Sequence, residues 1–260
     1  GLIAPSGFGK TTLAKILAGY ITPESGEVIL KGCKREKNGY NPVQLIFQHP
    51  EKSVNPKWKM DKILKEAFEP SKELLDDMGI KKEWLKRWPS ELSGGQRQRI
   101  GIARTLALNP KFIVCDEPIS ALDVSIQAQV INLLEKIQNE MGIAYLFIAH
   151  DLSMVKHISD RIGVMYLGNM VEIGDADDIY HEPLHPYTQA LLSSVPIPDP
   201  KVARNKKRIV LEGELPSPIN PPSGCVFRTR CPKATERCAK EKPTLKNVGN
   251  RQVACFLYDK

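Results

Sequence analysis

Leu92-Ser-Gly-Gly-Gln-Arg-Gln-Arg99 is the most informative stretch of this 260-residue chain. Serine is a favourable residue at the N-cap of a helix, and the two glycines after it carry no side chain that would block an approaching group. A helix that begins there turns its first N–H groups and the positive end of its dipole toward an anion. We therefore predict a helix over residues 94–108 that binds a phosphate. The expected phosphate contacts are Ser93, Gly94, Gly95 and Gln96.

A second phosphate-binding stretch stands near the N-terminus, Ala4-Pro-Ser-Gly-Phe-Gly-Lys-Thr11. Its glycines let backbone N–H groups turn toward phosphates, its lysine neutralises them, and its threonine hydroxyl can ligate Mg²⁺. The loop departs from the strict pattern at Ala4, where glycine is usual, and at Phe8, which is bulkier than usual. The nucleotide contacts expected from this loop are Ser6, Gly7, Phe8, Gly9, Lys10, Thr11 and Thr12.

An apolar strand that ends in two acids follows the serine-glycine stretch, Phe112-Ile-Val-Cys-Asp-Glu117. A carboxylate at such a strand end can hold Mg²⁺ through water, and a second one can orient and deprotonate an attacking water. We assign the first role to Asp116 and the second to Glu117. The ordinary alternative for an Asp-Glu pair is a solvated strand end.

In their order along the chain, the phosphate loop, the serine-glycine stretch and the acidic strand resemble the ATP-binding cassette (ABC) family. Pro118 and Ser120-Ala-Leu-Asp123 continue the acidic strand as the Walker B and D-loop segments of that family do. The resemblance implies a P-loop NTPase of the α/β class, with a mostly parallel sheet, a helical insert, and ATP and Mg²⁺ as cofactors. It implies a Q-loop at Gln48, which contacts Mg²⁺ or the attacking water, and a switch histidine at His150, which contacts the γ-phosphate.

The resemblance also groups the site residues by role. The implied catalytic residues are Glu117, His150 and Gln48, and the implied Mg²⁺ ligands are Thr11, Gln48 and Asp116. Asp123 joins the nucleotide contacts. Because the serine-glycine stretch lies some eighty residues beyond Lys10, the resemblance implies that it completes the site of a second protomer. Two cassettes would then enclose two ATP molecules head to tail.

Finer features resemble the ATPase subunits of oligopeptide, dipeptide and nickel importers. They are Phe47-Gln-His-Pro50, His185-Pro-Tyr-Thr-Gln-Ala-Leu-Leu192, and a tail that begins at Pro221-Pro-Ser-Gly-Cys225. The implied partners are a second ATPase subunit, identical or a sister chain, two membrane permeases and an extracytoplasmic solute-binding protein. The implied location is the cytoplasmic face of the cell membrane, and no nucleic acid is expected.

Four of the six cysteines lie in this tail, namely Cys225, Cys231, Cys238 and Cys255. Their spacing is too irregular for a zinc ribbon built from paired Cys-x₂-Cys units. Some relatives in the importer group carry a [4Fe–4S] cluster, and four thiolates can hold one. Zinc and packed reduced thiols stay open as alternatives. We expect a structural or redox-sensing role, because nothing in the sequence connects these cysteines to the nucleotide residues.

The composition of the chain indicates its domain organisation and its relation to a membrane. The chain is 42% hydrophobic and carries a net charge of +7, with 14 Lys and Arg against 5 Asp and Glu after residue 200. No stretch approaches the roughly 20 apolar residues that cross a bilayer, so we expect any membrane role to be peripheral. Frequent prolines from Pro183 onward predict a linker. We therefore predict an ATPase domain at 1–180, with a helical insert at about 49–109, and a separate Cys-rich extension at 181–260.

Apolar periodicity predicts the remaining elements. They are helices over 12–19 and 125–141, a helical and amphipathic stretch over 61–87, strands over 27–30, 43–47 and 144–149, and a hairpin of 161–166 with 170–173. Only three residues precede the phosphate loop, where a whole strand should lead into it, so we expect an N-terminally truncated cassette. The rival functions are a soluble ABC ATPase acting on nucleic acid or in cluster assembly, suggested by the basic tail, and a non-catalytic nucleotide-dependent module.

Overall fold

The computed structural model describes residues 1–30, 40–49, 53–66, 71–120, 122–195 and 208–259. The strands are β1 (Leu2–Ile3), β2 (Val43–Ile46), β3 (Phe112–Asp116), β4 (Ala144–Ala149), β5 (Arg161–Tyr166), β6 (Asn169–Asp175), β7 (Lys246–Val248) and β8 (Arg251–Val253). The α-helices are α1 (Lys10–Leu17), α2 (Met60–Lys65), α3 (Lys72–Asp77), α4 (Lys82–Leu85), α5 (Gly94–Leu106), α6 (Val124–Met141), α7 (Leu152–Ile158), α8 (Ala176–His181), α9 (Pro186–Ser193) and α10 (Glu236–Lys240). The chain divides into two compact units, Thr11–Ile148 and Gly1–Lys10 with Ala149–Lys260.

The unit Thr11–Ile148 contains a parallel arrangement of β2, β3 and β4. In its register, Val43 pairs with Phe112, and Asp116 pairs with Ile148. The middle strand is apolar from Phe112 to Cys115, as expected of a strand that is covered on both faces, and Ile113 to Cys115 have no exposed surface. Helix α6 adds a buried stripe of Val130, Ile131, Leu133, Leu134 and Ile137. The predicted strands over 43–47 and 144–149 and the predicted helix over 125–141 are confirmed.

The described residues between β2 and β3 form helices, turns and irregular segments and contain no strand. The helical stretch predicted over 61–87 contains three short helices, α2, α3 and α4. Gly79, with φ of +62°, ends the segment of α3, because left-handed backbone cannot continue a helix. Of the apolar positions that indicated this stretch, Ala67 and Phe68 lie outside the described residues. Helix α5 begins at Gly94, directly after Ser93, as predicted.

The other unit contains a mixed arrangement of five strands. Strand β1 pairs in parallel with β5, β5 pairs with β6 as the predicted hairpin, and β6, β8 and β7 continue it in antiparallel order. Glu172 of β6 faces Val253 of β8 in this register. The Cys-rich region thus adds two strands to this sheet, and its description as a separate extension stays a prediction. Its few apolar side chains gain burial by extending an existing sheet, and Phe227 and Val253 are each 1% exposed. The boundary at 180/181 stays a prediction.

The sequence motif that begins at His185 forms helix α9. His185 Nδ1 accepts a hydrogen bond from the Tyr187 N–H at 3.1 Å and so caps the helix. Burial lowers the pKa of His185 to about 4, which keeps the ring neutral and able to accept. The buried Glu172 carboxylate accepts from the N–H groups of Leu184 and His185 at 2.8 and 2.9 Å. This motif therefore anchors α9 to β6.

The strand predicted over 27–30 is wrong. Val28 and Ile29 are 41% and 69% exposed, and residues 28–30 have no regular structure. An apolar run forms a strand only where a neighbouring strand completes its hydrogen bonds, and residues 27–30 have no ladder partner among the described residues. Cys33 and the residues around it lie outside the described residues. In the described part of the chain, no helix is both long and apolar enough to cross a membrane.

Candidate functional site

The phosphate loop folds around its own lysine. Lys10 is 4% exposed, and its Nζ donates hydrogen bonds to the carbonyl oxygens of Ala4 and Pro5 at 2.7 and 3.1 Å. Gly7 and Gly9 have φ values of +81° and +94°, where a side chain would be strained. Ser6, Gly7, Thr11 and Thr12 are exposed. The loop therefore holds a positive charge beneath an accessible backbone turn.

Phe8 corrects the prediction for this loop. Its ring is 3% exposed and meets the Tyr166 ring edge-on at 5.0 Å, so the side chain is a core residue and cannot face a nucleotide. Only its backbone is left for that role, and its N–H already donates to the Pro5 carbonyl at 3.4 Å. The bulk that departs from the family pattern is thus explained by packing beneath the loop.

The end of β3 presents the two predicted acids. Asp116 is the last residue of the strand and is 4% exposed. Glu117 has φ of +47°, a left-handed conformation that costs a non-glycine residue about 1–3 kcal/mol. Its N–H donates to the Ile148 carbonyl of β4 at 3.0 Å. This hydrogen bond holds Glu117 in the strained turn that sets the direction of its side chain.

The side chains of Gln48 and Glu117 are hydrogen-bonded to each other, and their roles as Q-loop residue and general base stay predictions. The Gln48 Nε2 donates to Glu117 Oε2 at 3.1 Å and to Ser120 Oγ at 3.3 Å. Ser120 Oγ in turn donates to the Glu117 carbonyl at 3.1 Å. The three side chains form one hydrogen-bonded set at the ends of β2 and β3.

Two members of this arrangement were missed from the sequence. Ser120 was assigned only to a segment, although a serine hydroxyl in a turn commonly hydrogen-bonds to nearby backbone. Gln127 also has no motif of its own, and its Nε2 donates to the carbonyls of Ile119 and Leu122 at 3.1 Å each. It therefore ties the loop after Glu117 to helix α6.

The N-terminus of α5 is a complete capping box. Ser93 Oγ accepts from the Gln96 N–H at 3.3 Å, and Gln96 Oε1 accepts from the Ser93 N–H at 3.0 Å. Such reciprocal bonds fix where a helix begins. Each of the two side chains is thus engaged by the backbone N–H of the other residue, and the phosphate contacts of Ser93 and Gln96 stay predictions. Ser93 is nevertheless exposed.

Packing against helix α6 requires a glycine at position 95. A Cβ at Gly95 would lie 2.5 Å from Cγ2 of Ile126 in α6, whereas one at Gly94 would lie 3.1 Å from the tip of Leu122. The Ile126 N–H is itself capped by Asp123 Oδ1 at 3.0 Å. The missing side chain therefore lets the N-termini of α5 and α6 touch. The contact of Asp123 with nucleotide stays a prediction.

Gly95→Ala is expected to lower the free energy of unfolding by about 1–3 kcal/mol, because the β-branched Ile126 has little rotamer freedom to move away. Gly94→Ala is the matched control and should change it by less than about 0.5 kcal/mol, since a leucine tip can yield. Chemical denaturation of both variants checks this. Equal stability of the two variants would contradict the packing role of Gly95. Combining Gly95→Ala with Ile126→Ala should recover part of the lost free energy of unfolding, because it removes the clashing methyl group.

His150 is exposed and follows β4 directly. It lies two residues after Ile148, the register partner of Asp116. The next residue, Asp151, caps α7 by accepting from the Ser153 N–H at 2.8 Å. His150 thus lies between the end of β4 and the N-cap of α7. Its contact with the γ-phosphate stays a prediction.

The four tail cysteines line one cavity of about 140 Å³, together with His185, Phe227 and Arg237. Burial raises the pKa of the Cys255 thiol to about 11, and the Cys225, Cys231 and Cys238 thiols add to the rise because they are close. The Cys225 N–H donates to the Cys238 carbonyl at 2.8 Å. Within the described ranges, no three His, Cys, Asp or Glu side chains are arranged to hold a single metal ion. The four cysteines thus share one cavity, and their convergence on one cluster stays a prediction.

Comparison with known proteins places the chain. Residues 1–120 match the family model described as ABC transporter, and residues 171–238 match the oligopeptide/dipeptide transporter C-terminal region. The chain is 50% identical to the oligopeptide transport ATP-binding protein OppF of Salmonella typhimurium, over 100% of this chain and 84% of the relative. It is 48% identical to the oligopeptide transport ATP-binding protein AppF of Bacillus subtilis, over 99% and 85%.

A solved structure agrees with the fold. The structure of cbiO1 from Clostridium perfringens, part of the ABC transporter complex cbiONQ, aligns with a TM-score of 0.56 at 25% identity. The alignment covers 70% of this chain and 78% of that one. The chain therefore belongs to the ATP-hydrolysing subunits of ABC transporters, in the oligopeptide and dipeptide branch of that family.

Proposed function

We propose that this ATPase drives the import of peptides through separate membrane permeases, with Glu117 as the general base for hydrolysis. The observation that carries the proposal is the hydrogen-bonded set of Gln48, Glu117 and Ser120. These hydrogen bonds orient the carboxylate of Glu117. The strained backbone of Glu117 is held in turn by its hydrogen bond to β4. A base for water needs such a fixed direction, because proton transfer depends first on geometry.

The residues of the phosphate site fit an ATP complex with Mg²⁺. The proposed ligands Thr11, Gln48 and Asp116 offer the oxygen atoms that Mg²⁺ prefers. Because Gln48 Nε2 donates to Glu117 and Ser120, its amide oxygen is the atom that can turn toward the metal. When bound, Mg²⁺ neutralises charge on the transferred phosphoryl group. Lys10 adds a second positive charge to the phosphates, and Glu117 takes the proton of the attacking water.

The serine-glycine stretch is proposed to act on the partner subunit's nucleotide. Ser93 is exposed at the positive end of α5, a helix of 13 residues, and such an end attracts phosphate. The chain's own capping box already engages the Gln96 N–H. The N–H groups of Gly94 and Gly95 and the Ser93 hydroxyl are therefore the donors proposed to meet the γ-phosphate. A head-to-tail dimer, with an identical or a sister chain, supplies that phosphate.

A groove in the unit Thr11–Ile148 is the proposed contact with the permeases. Its volume is about 350 Å³, and Tyr20, Phe47, Val54 and Arg104 are among its lining residues. Tyr20 is 62% exposed, and its ring packs on Phe47 at 5.8 Å. Phe47 directly precedes Gln48, so a permease segment that presses on Phe47 also acts on the proposed site. The chain would then work at the cytoplasmic face of the membrane.

Peptides are the favoured cargo, because the relatives at about half identity carry oligopeptide transport in their names. Nickel is the alternative. The test reconstitutes the chain with its second ATPase subunit, both permeases and the binding protein in liposomes. We expect ATP turnover to rise when the binding protein is loaded with a tripeptide. Stimulation by Ni²⁺ alone would reassign the cargo, and stimulation by nucleic acid without permeases would favour the soluble ABC ATPase.

We further propose that Cys225, Cys231, Cys238 and Cys255 ligate one [4Fe–4S] cluster. The support for this proposal is that the four thiols line one cavity, and that four thiolates are the usual ligand set of such a cluster. Zinc, which four thiolates can also bind, is the alternative. Arg237 and Lys233 also line the cavity and would offset the negative charge of the ligated thiolates.

Anaerobically purified protein is expected to hold about four iron and four acid-labile sulfide per chain. Cys238→Ser should lose both, because a missing ligand leaves the cluster open to exchange. Cys115→Ala is the matched control, since Cys115 lies in β3 and is fully buried, and it should keep both. Stoichiometric zinc without sulfide, or protein without any metal, would refute the cluster.

A further inference from the structure

A row of three buried aromatic rings runs from the phosphate loop to the cysteine cavity. Phe8 lies between the two loop glycines and meets Tyr166, the last residue of β5, with ring centroids 5.0 Å apart. Tyr166 meets Phe227 at 5.2 Å, and both pairs are edge-to-face. Phe8, Tyr166 and Phe227 are 3%, 0% and 1% exposed. These three residues are called the aromatic row below.

The loop end of the row has a second attachment. The Phe8 carbonyl accepts from the Gly168 N–H at 3.2 Å, and Gly168 lies in the turn of the β5–β6 hairpin. A Cβ on Gly9 would reach 4.0 Å from the Gly168 Cα, so the loop rests directly on that turn. Tyr166 and Gly168 both belong to the β5–β6 hairpin. This hairpin therefore holds Phe8 in two ways, through the Tyr166 ring and through the Gly168 backbone N–H.

The other end of the row belongs to the C-terminal region. Phe227 lines the cavity of the four cysteines, and its carbonyl accepts from the Arg230 N–H at 3.0 Å. Its ring also lies 5.4 Å from that of Tyr187 in α9. Tyr187 in turn lies 4.7 Å from Tyr166. Phe227 is thus fixed by the C-terminal region and packs against the residue that supports Phe8.

We propose that the C-terminal region positions the phosphate loop for ATP through the aromatic row, with Tyr166 and Phe227 as positioning residues. The inference rests on the proposed binding of ATP at this loop. Edge-to-face pairs have a preferred geometry, so removal of one ring leaves a void that its neighbours cannot fill without shifting. A shift of Phe8 moves Gly7 and Gly9, whose N–H groups are expected to meet the phosphates. This contact supplies the connection between the cysteines and the nucleotide residues that the sequence did not show.

Phe227→Ala in the full chain tests the row by equilibrium binding of MgATP. The affinity is expected to fall roughly three- to tenfold, the equivalent of the coupling within one or two aromatic pairs. Hydrogen exchange of the amides of residues 6–9 should become faster at the same time. Phe227→Tyr keeps the ring and should bind ATP like the unaltered chain. Phe227→Leu, which keeps more of the volume, is measured in the same way if Phe227→Ala does not fold.

A matched control separates positioning from general stability. Ile179→Ala opens a void in α8 of the same unit, where Ile179 is fully buried, and it should lower the melting temperature without weakening ATP binding. The inference is overturned if folded Phe227→Ala and Phe227→Leu both bind ATP like the unaltered chain, or if Ile179→Ala loses as much affinity. Lys10→Ala tests the proposed function itself. Unchanged ATP binding by Lys10→Ala would refute the binding of ATP at this loop. If Lys10→Ala loses ATP binding while the Phe227 variants bind ATP normally, only the role of the aromatic row is refuted.

Discussion

Glu117→Gln is expected to lower ATP turnover by about 10²–10⁴-fold, the usual contribution of a general base. ATP affinity should change by less than about threefold, because the side chain keeps its shape and loses only a charge. The amide oxygen of the new glutamine can still accept from Gln48 Nε2, which lies 3.1 Å from the present Oε2. Turnover is measured in the complex assembled with the permeases, and affinity by equilibrium binding of MgATP.

Ser120→Ala is the control for this prediction. It removes the hydroxyl that accepts from Gln48 at 3.3 Å and donates to the Glu117 carbonyl at 3.1 Å, but it leaves the carboxylate in place. Turnover should fall only a few fold, since one neutral hydrogen bond contributes about 1 kcal/mol. Near-normal turnover in Glu117→Gln would show that another group takes the proton.

Ser93→Arg is expected to abolish turnover in the assembled dimer without weakening ATP binding to the isolated chain. Ser93 is exposed at the start of α5, so an arginine there obstructs the partner's nucleotide rather than the chain's own. The substitution also removes the Ser93 Oγ cap, which stabilises the helix by about 1 kcal/mol. Ser93→Ala removes the same cap without the added cation and should keep part of the turnover.

Mixed dimers decide whether the site is shared. When a Ser93→Arg chain pairs with a Lys10→Ala chain, a head-to-tail arrangement places both lesions in one site and leaves the other intact. One ATP should then be bound tightly per dimer, as counted by retained radiolabelled nucleotide. Two equally defective sites would mean that each chain completes its own site, and would contradict the proposed arrangement.

Local chemistry explains which parts of the fold were predictable. Ser93 with Gln96 marks the start of α5 because a capping box involves only residues within one turn. The apolar run of β3 indicates a strand buried on both faces, and Gly168 marks the hairpin turn, since both signals lie within a few residues. The run over 27–30 carries the same apolar signal and failed, because a strand also needs a partner that no local pattern specifies.

The pattern of residues specifies the order of the phosphate loop, Q-loop, serine-glycine stretch and acidic strand, and this order resembles that of an ABC ATPase. The surroundings of those residues, in contrast, follow from packing in three dimensions. Phe8 faces Tyr166 rather than a nucleotide, Gly95 makes room for Ile126, and the Cys-rich region extends the sheet through β8. Packing between residues distant along the chain depends on their shapes in three dimensions, so a pattern of residue types and spacings does not contain it.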